Sequence, residues 1–233
     1  MDNKSVFNAA VCIIGIIFLL IHTVNILLKK NRRKDENNLL IFVVFTIIHF
    51  ATYLTFTFIK VNYSSDALII TFYTIFYIMN NLEALLLFIY TMSYVDTNKK
   101  KTKDVLMAIN LSLFAVFVIL DIINIFTRMY FTSVDGVYTR RTFMFFAQTY
   151  QFVILAASFI LVLFDKELNV REKIGFSIYV FLPAISIVVQ NFMPGYAIAY
   201  ASLLLAVEIL FLFLNVVPWK IYTSLKHLFR GMY

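Results

Sequence analysis

Long apolar runs separated by short polar clusters dominate this chain, and the runs have the length an α-helix needs to cross a bilayer. Seven are found: Phe7 to Leu28, Leu39 to Ile59, Ala67 to Met92, Val105 to Thr127, Thr142 to Phe164, Ile174 to Asn191, and Tyr196 to Val217. The pattern predicts an all-α membrane protein, a seven-transmembrane-helix bundle over residues 1–217. Residues 218–233 follow as a short cytoplasmic or interfacial tail, with Ile221, Leu225 and Phe229 at helical spacing. The segment between the fourth and fifth runs breaks the rule of short connections. It reads Met129-Tyr-Phe-Thr-Ser-Val-Asp-Gly-Val-Tyr-Thr-Arg140. Asp135-Gly136 supplies the two positive-φ positions of a tight turn, with β-branched and aromatic residues on both sides, so a short β-hairpin is expected there. Met193-Pro194-Gly195 reads as a tight turn between the last two spans, and Pro183 as a kink in the sixth.

Composition strengthens this picture. The 233 residues are 62% apolar and 14% charged, whereas soluble domains are usually about 45–50% apolar. A soluble fold is excluded. The single cysteine, Cys12, lies in the first span, so a disulfide framework is excluded too. The net charge of +7 is better read as a topology signal than as a nucleic-acid footprint. Assigned to alternate sides, fifteen Lys and Arg fall on one side and five on the other (Lys4, Lys60, Arg128, Arg140, Arg141). The positive-inside rule then places the N-terminus outside, the C-terminus in the cytoplasm and the hairpin outside, in the plasma membrane. The first span follows a single Lys and lacks a small-residue cleavage site, so it is expected to stay as an anchor.

Ionisable groups at membrane depth are costly and mark sites by default. No Lys or Arg lies inside a span, but Glu83, Asp121 and Glu208 do, together with His22 and His49. Estimated depth sorts the polar groups into two sets. In the outer set, Asp121 and Asn124 share a face of the fourth span, Gln148 and Gln151 one of the fifth, and Gln190 ends the sixth. With Tyr138, Arg140 and Arg141 from the hairpin, they suggest a cleft for a small amphipathic ligand, with the arginines favouring an anionic group. The alternative is that the amides only join helices by hydrogen bonds. The deeper set holds His22, Asn80, Glu83 and Glu208. It reads as a polar knot that transmits helix motion, or as a proton or ion path. His49, with Thr46 and Tyr53 on its face, reads as a satisfied core histidine. No His, Cys or carboxylate spacing of a metal site occurs.

Enzymatic chemistry has no support: there is no phosphate loop, nucleophile elbow, zincin motif or aspartate pair suited to intramembrane proteolysis. Retinal is excluded as a cofactor because the seventh span has no lysine for a Schiff base; Lys220 lies beyond Pro218. No other cofactor is implied.

Two stretches, Phe131-Thr-Ser-Val-Asp135-Gly136-Val-Tyr138-Thr-Arg140 and Leu182-Pro183-Ala-Ile-Ser-Ile-Val-Val-Gln190-Asn-Phe-Met-Pro194-Gly195, resemble the N-terminal seven-helix input module of bacterial, mostly Firmicute, diguanylate cyclases and histidine kinases. The resemblance implies a sensor that passes a signal to a cytoplasmic output domain. Only three residues follow Arg230, with no Gly-Gly-Asp-Glu-Phe segment, phosphoacceptor helix or coiled coil. The expectation is therefore an excised input module or a stand-alone relative acting through a signalling output protein or a homodimer. The rival expectation is a small-solute or proton-coupled carrier using Glu83, Glu208 and the histidines. It is weakened because seven spans do not divide into two inverted halves. A structural partner subunit is the third reading.

Overall fold

The computed structural model describes residues 3–62, 65–95, 100–193 and 196–215. Among these residues seven helices run in chain order: α1 (Asn3–Leu27), α2 (Lys34–Asn62), α3 (Asp66–Tyr94), α4 (Lys100–Thr127), α5 (Met144–Phe164), α6 (Val170–Phe192) and α7 (Ile198–Asn215). Between α4 and α5 lie strands β1 (Phe131–Val134) and β2 (Val137–Arg140). Helices α1 to α6 are long and apolar enough to cross a membrane, whereas α7 has a shorter apolar stretch, Ile198–Phe213. The turn at Pro194-Gly195 and the tail from Pro218 lie outside the described residues.

Local chemistry sets several helix ends. Ser65 caps α3 by accepting from the Leu68 amide at 3.3 Å. Asn169 and Glu172 form a reciprocal capping box at the start of α6, with bonds of 2.9 Å each way. At α7 the caps come from other helices. The Ala197 amide donates to Asn8 of α1 at 2.7 Å, and the Ala199 amide to Gln190 of α6 at 3.2 Å. Within the spans, Thr23, Thr46, Thr57, Thr74 and Thr91 return their hydroxyls to the carbonyl four residues earlier. A threonine can therefore sit in an apolar bundle without an unsatisfied donor.

Helix α3 is central: it packs against α2, α4, α5 and the hairpin. The most apolar window of α4 is only 11% buried, against 44% for α3, so α4 is peripheral. The principal core joins α1, α2, α3, α6 and α7 through Leu19, Phe42, Phe50, Tyr90, Tyr179, Tyr200 and Val207. Gly15 is needed where α1 meets α2, because a Cβ there would strike the ring of Phe50, which is fully buried. Outward positions such as Ile13, Ile17, Ile119, Ile122 and Phe126 are exposed and apolar. Such a belt suits lipid rather than water as solvent.

The hairpin is antiparallel, pairing Phe131 with Arg140 and Val134 with Val137. Asp135 and Gly136 have φ of 52° and 73°, the mirror-image turn geometry that matches strand twist. Asp66, at the start of α3, anchors this turn: its Oδ1 accepts from the Ser133 hydroxyl at 2.7 Å and from the Gly136 amide at 2.8 Å. Beneath the hairpin, Tyr138 stacks on Tyr73 with centroids 4.0 Å apart, and its hydroxyl lies 3.1 Å from that of Tyr77.

Candidate functional site

A cavity of about 100 Å³ opens between α3, α5, α6 and α7, with Arg140 of β2 at its hairpin end. Helix α3 presents Phe76, Asn80, Glu83 and Leu87 at steps of three and four residues, one continuous stripe. Gln148, Gln151 and Leu155 come from α5; Tyr179, Pro183, Ile187 and Gln190 from α6; Tyr200 and Leu203 from α7. Two of the α6 positions belong together physically. Pro183 has no N–H, so the helix supplies no donor at that position for the Tyr179 carbonyl four residues earlier. The broken ladder therefore sits at the cavity wall.

Glu83 is held from two sides. Thr46 donates to its Oε1 at 2.7 Å, and His49 Nδ1 lies 2.9 Å from Oε2. The other histidine nitrogen, Nε2, lies 2.9 Å from the Tyr200 hydroxyl. One chain of hydrogen bonds thus joins α2, α3 and α7 at the cavity wall, with His49 1% and Glu83 7% exposed. A carboxylate oxygen can accept more than one bond, so Glu83 keeps capacity toward the cavity.

A second chain runs behind α5. Asn81 Nδ2 donates to Asp121 Oδ2 at 2.9 Å, and Gln151 Nε2 donates to Asn81 Oδ1 at 3.4 Å. Asp121 and Asn81 are buried, while Gln151 reaches the cavity. Asp121 Oδ1 has no hydrogen-bond partner among the described residues.

The residues singled out from sequence therefore separate. Arg140, Gln148, Gln151 and Gln190 line the cavity, and Asn80 and Glu83 join them although their depth placed them in a different set. Asp121 stands one shell back. Asn124 is fully buried and shapes the exit from α4 instead: its Oδ1 accepts from the Tyr130 amide at 2.7 Å, just after Arg128 turns the chain at φ 55°. Tyr138 reaches the cavity only through Tyr77. Burial pushes its phenol above the ordinary tyrosine range, while Tyr77 and the Arg140 guanidinium pull it down. The Arg141 amide donates to the Tyr130 carbonyl at 2.9 Å and the residue is exposed, away from the cavity. His22 and Glu208 meet at 2.8 Å between α1 and α7, with His22 stacked on Phe211 at 3.8 Å. This pair does not touch the cavity.

Asn81, Tyr77, Tyr179 and Tyr200 were not singled out from sequence. The 77-81-84-88 spacing on α3 is the signal that marks a second buried face beside the 76-80-83-87 stripe. Among the described residues no cluster of His, Cys, Asp and Glu could hold a metal ion. Comparison of the chain with protein-family models, curated proteins and solved structures finds no match.

Proposed function

We infer that this chain is a seven-helix membrane receptor module of a bacterial signalling protein, binding a small ligand near the outer face and performing no catalysis of its own. The observation that carries this reading is the cavity itself. Arg140, Glu83 and four side-chain amides converge on a space walled by aromatic and aliphatic residues, the combination that orients a small ligand and also desolvates it. A ligand there touches α3, α5, α6 and α7 together, so it can bias their packing by its difference in affinity between two arrangements. Glu83 carries that bias to α2 and α7 through Thr46, His49 and Tyr200, and the His22–Glu208 pair ties α7 to α1. The output is a cytoplasmic signalling partner or a homodimer.

In this reading α7 is the seventh span: its 18 residues rise about 27 Å, close to the ~30 Å hydrocarbon thickness. The hairpin faces outward and the basic clusters face the cytoplasm of a plasma-membrane protein. Orientation is tested by labelling. Cys12 is fully buried, so a cysteine placed at exposed Val134 reports on a quiet background. A membrane-impermeant maleimide should label Val134→Cys in intact cells and Lys30→Cys only after permeabilisation; the reverse pattern sinks the outward hairpin.

Ligand binding is tested by a thermal-shift screen of detergent-purified protein against metabolites, lipids and peptides. A true ligand raises the melting temperature by mass action. Its effect should vanish in Ala84→Phe, which fills the cavity, since Ala84 of α3 also lines it. A ligand that stabilises the filled variant equally well does not bind there, and a compound that accumulates in proteoliposomes points to the carrier instead.

A further inference from the structure

The charge and hydrogen-bond character of the cavity restricts what can occupy it. Among its lining residues the charged ones are Arg140 from β2 and Glu83 from α3. They lie at different depths. Arg140 belongs to the hairpin level, where Tyr138 meets Tyr77, whereas Glu83 is six residues further along α3, about 9 Å of axial rise.

The Gln151 amide, which also lines the cavity, is engaged on its far side. Asp121 takes the Asn81 amide nitrogen, which leaves the Asn81 oxygen for Gln151. Gln151 therefore commits one N–H to Asn81 and keeps its oxygen as an acceptor for a ligand, with its second N–H beside it. Glu83 and the Gln151 oxygen supply acceptors at one level, and Arg140 supplies donors nearer the hairpin.

Simple ligands fit this poorly. A lone anion would gain Arg140 but face the Glu83 carboxylate, and a lone cation would gain Glu83 but face Arg140. An apolar molecule would offer no polar contact to the charged and amide groups that line the cavity. At about 10–15 Å³ per water-sized group, 100 Å³ accommodates about seven to ten non-hydrogen atoms.

Building on the receptor reading of this cavity, the geometry points to a small zwitterion as its ligand: an anionic group on Arg140, an ammonium group between Glu83 and the Gln151 oxygen, and a short apolar body against Phe76, Leu155 and Leu203. A free amino acid and a phosphatidylethanolamine headgroup share this chemistry.

The test compares 4-aminobutanoate with butylamine and butanoate, which present both charges or one alone on the same carbon skeleton. The protein is held in phosphatidylglycerol nanodiscs, and binding is read by calorimetry and thermal shift. The zwitterion should bind about tenfold or more tightly than either single-charge analogue, the effect of one added charge-assisted hydrogen bond. Arg140→Gln should make 4-aminobutanoate and butylamine equal, and Glu83→Gln should make 4-aminobutanoate and butanoate equal. Arg140 is on the half-exposed hairpin, so its variant tests the inference even if Glu83→Gln unfolds. Adding phosphatidylethanolamine to the nanodiscs separates the sources: stabilisation by that lipid alone, lost in Arg140→Gln, assigns the zwitterion to a headgroup. If butanoate or butylamine binds as tightly as the zwitterion and Ala84→Phe abolishes it, the cavity is a receptor site but the zwitterion is wrong. If none of the three compounds nor the lipid stabilises the protein, the zwitterion is equally refuted, and the wider screen then decides the receptor reading by itself.

Discussion

Asn81 and Asp121 meet across the α3–α4 contact at 2.9 Å, and through Asn81 that contact is tied to Gln151 at the cavity wall. The Asn81 amide nitrogen donates to Asp121 Oδ2, and the oxygen of the same amide accepts from Gln151. Both groups are buried, and removing the acceptor leaves an amide nitrogen without a partner. Asp121→Ala should therefore lower stability by about 1–3 kcal/mol, measured as thermal or denaturant unfolding in detergent. Asp121→Asn keeps an oxygen in place and should lose much less. If the alanine variant is as stable as the parent, Asp121 does not hold this chain of amides.

One oxygen atom ties the turn of the hairpin to α3. Both bonds from the turn, from Ser133 and from the Gly136 amide, end on Oδ1 of Asp66. Asparagine can put an acceptor in the same place, and alanine cannot. Amide exchange at Gly136 should be severalfold faster in Asp66→Ala and close to the parent in Asp66→Asn, while the exchange of core amides in α3 stays unchanged. Equal exchange in all three proteins would mean that the tyrosine stack alone holds the hairpin.

The two levels of this structure differ in how far they can be read from sequence. Hydropathy found the apolar zone of each helix but not its ends. The second span was expected from Leu39, yet the helix begins at Lys34, because polar residues extend it beyond the apolar zone. The sixth was expected from Ile174, although the Asn169 and Glu172 capping signal lies just upstream and starts the helix at Val170. The Asp135-Gly136 turn depends on residue types alone and is legible for that reason. The cavity is different. Asn80 and Asn81 are adjacent and chemically identical, but one lines the cavity and the other faces Asp121. Only the packing of α3 among its neighbours separates them. Depth estimates also split Glu83 from Gln151, since counting residues along separate helices ignores where the helices meet.

Gly15 gives a test of packing against propensity. In an exposed helix, Gly→Ala is stabilising by roughly 1 kcal/mol. Here the new methyl would meet the Phe50 ring, which is fully buried and packed edge-on against Tyr200 at 4.9 Å. Gly15→Ala should therefore be destabilising, by about 1–3 kcal/mol for an overpacked core. Phe50→Leu in the same chain should recover part of the loss. A Gly15→Ala protein that melts above the parent would show that α1 and α2 can separate without cost.

The chain from Thr46 and His49 through Glu83 predicts non-additivity at the cavity wall. His49 bridges Glu83 and Tyr200, so removing either neighbour frees one ring nitrogen, and removing the histidine frees both neighbours. His49→Ala leaves a buried carboxylate oxygen and a buried phenol with one bond fewer and should cost about 1–3 kcal/mol. Tyr200→Phe keeps the ring contacts with Phe50 and Tyr53 and removes only the hydroxyl, so its loss should be smaller. Once His49 is gone the hydroxyl no longer contributes this bond. The double variant should therefore fall short of the summed single losses, with a coupling of about 0.5–3 kcal/mol for residues in direct contact. Thr46→Val tests the other arm. Its single hydroxyl hydrogen is shared between Glu83 and the Phe42 carbonyl, so the variant loses both contacts but little packing. Unfolding free energies of the four proteins in the His49–Tyr200 cycle decide the matter. Strict additivity would mean that His49 and Tyr200 are held by packing alone, and that Glu83 has no hydrogen-bonded route to α7.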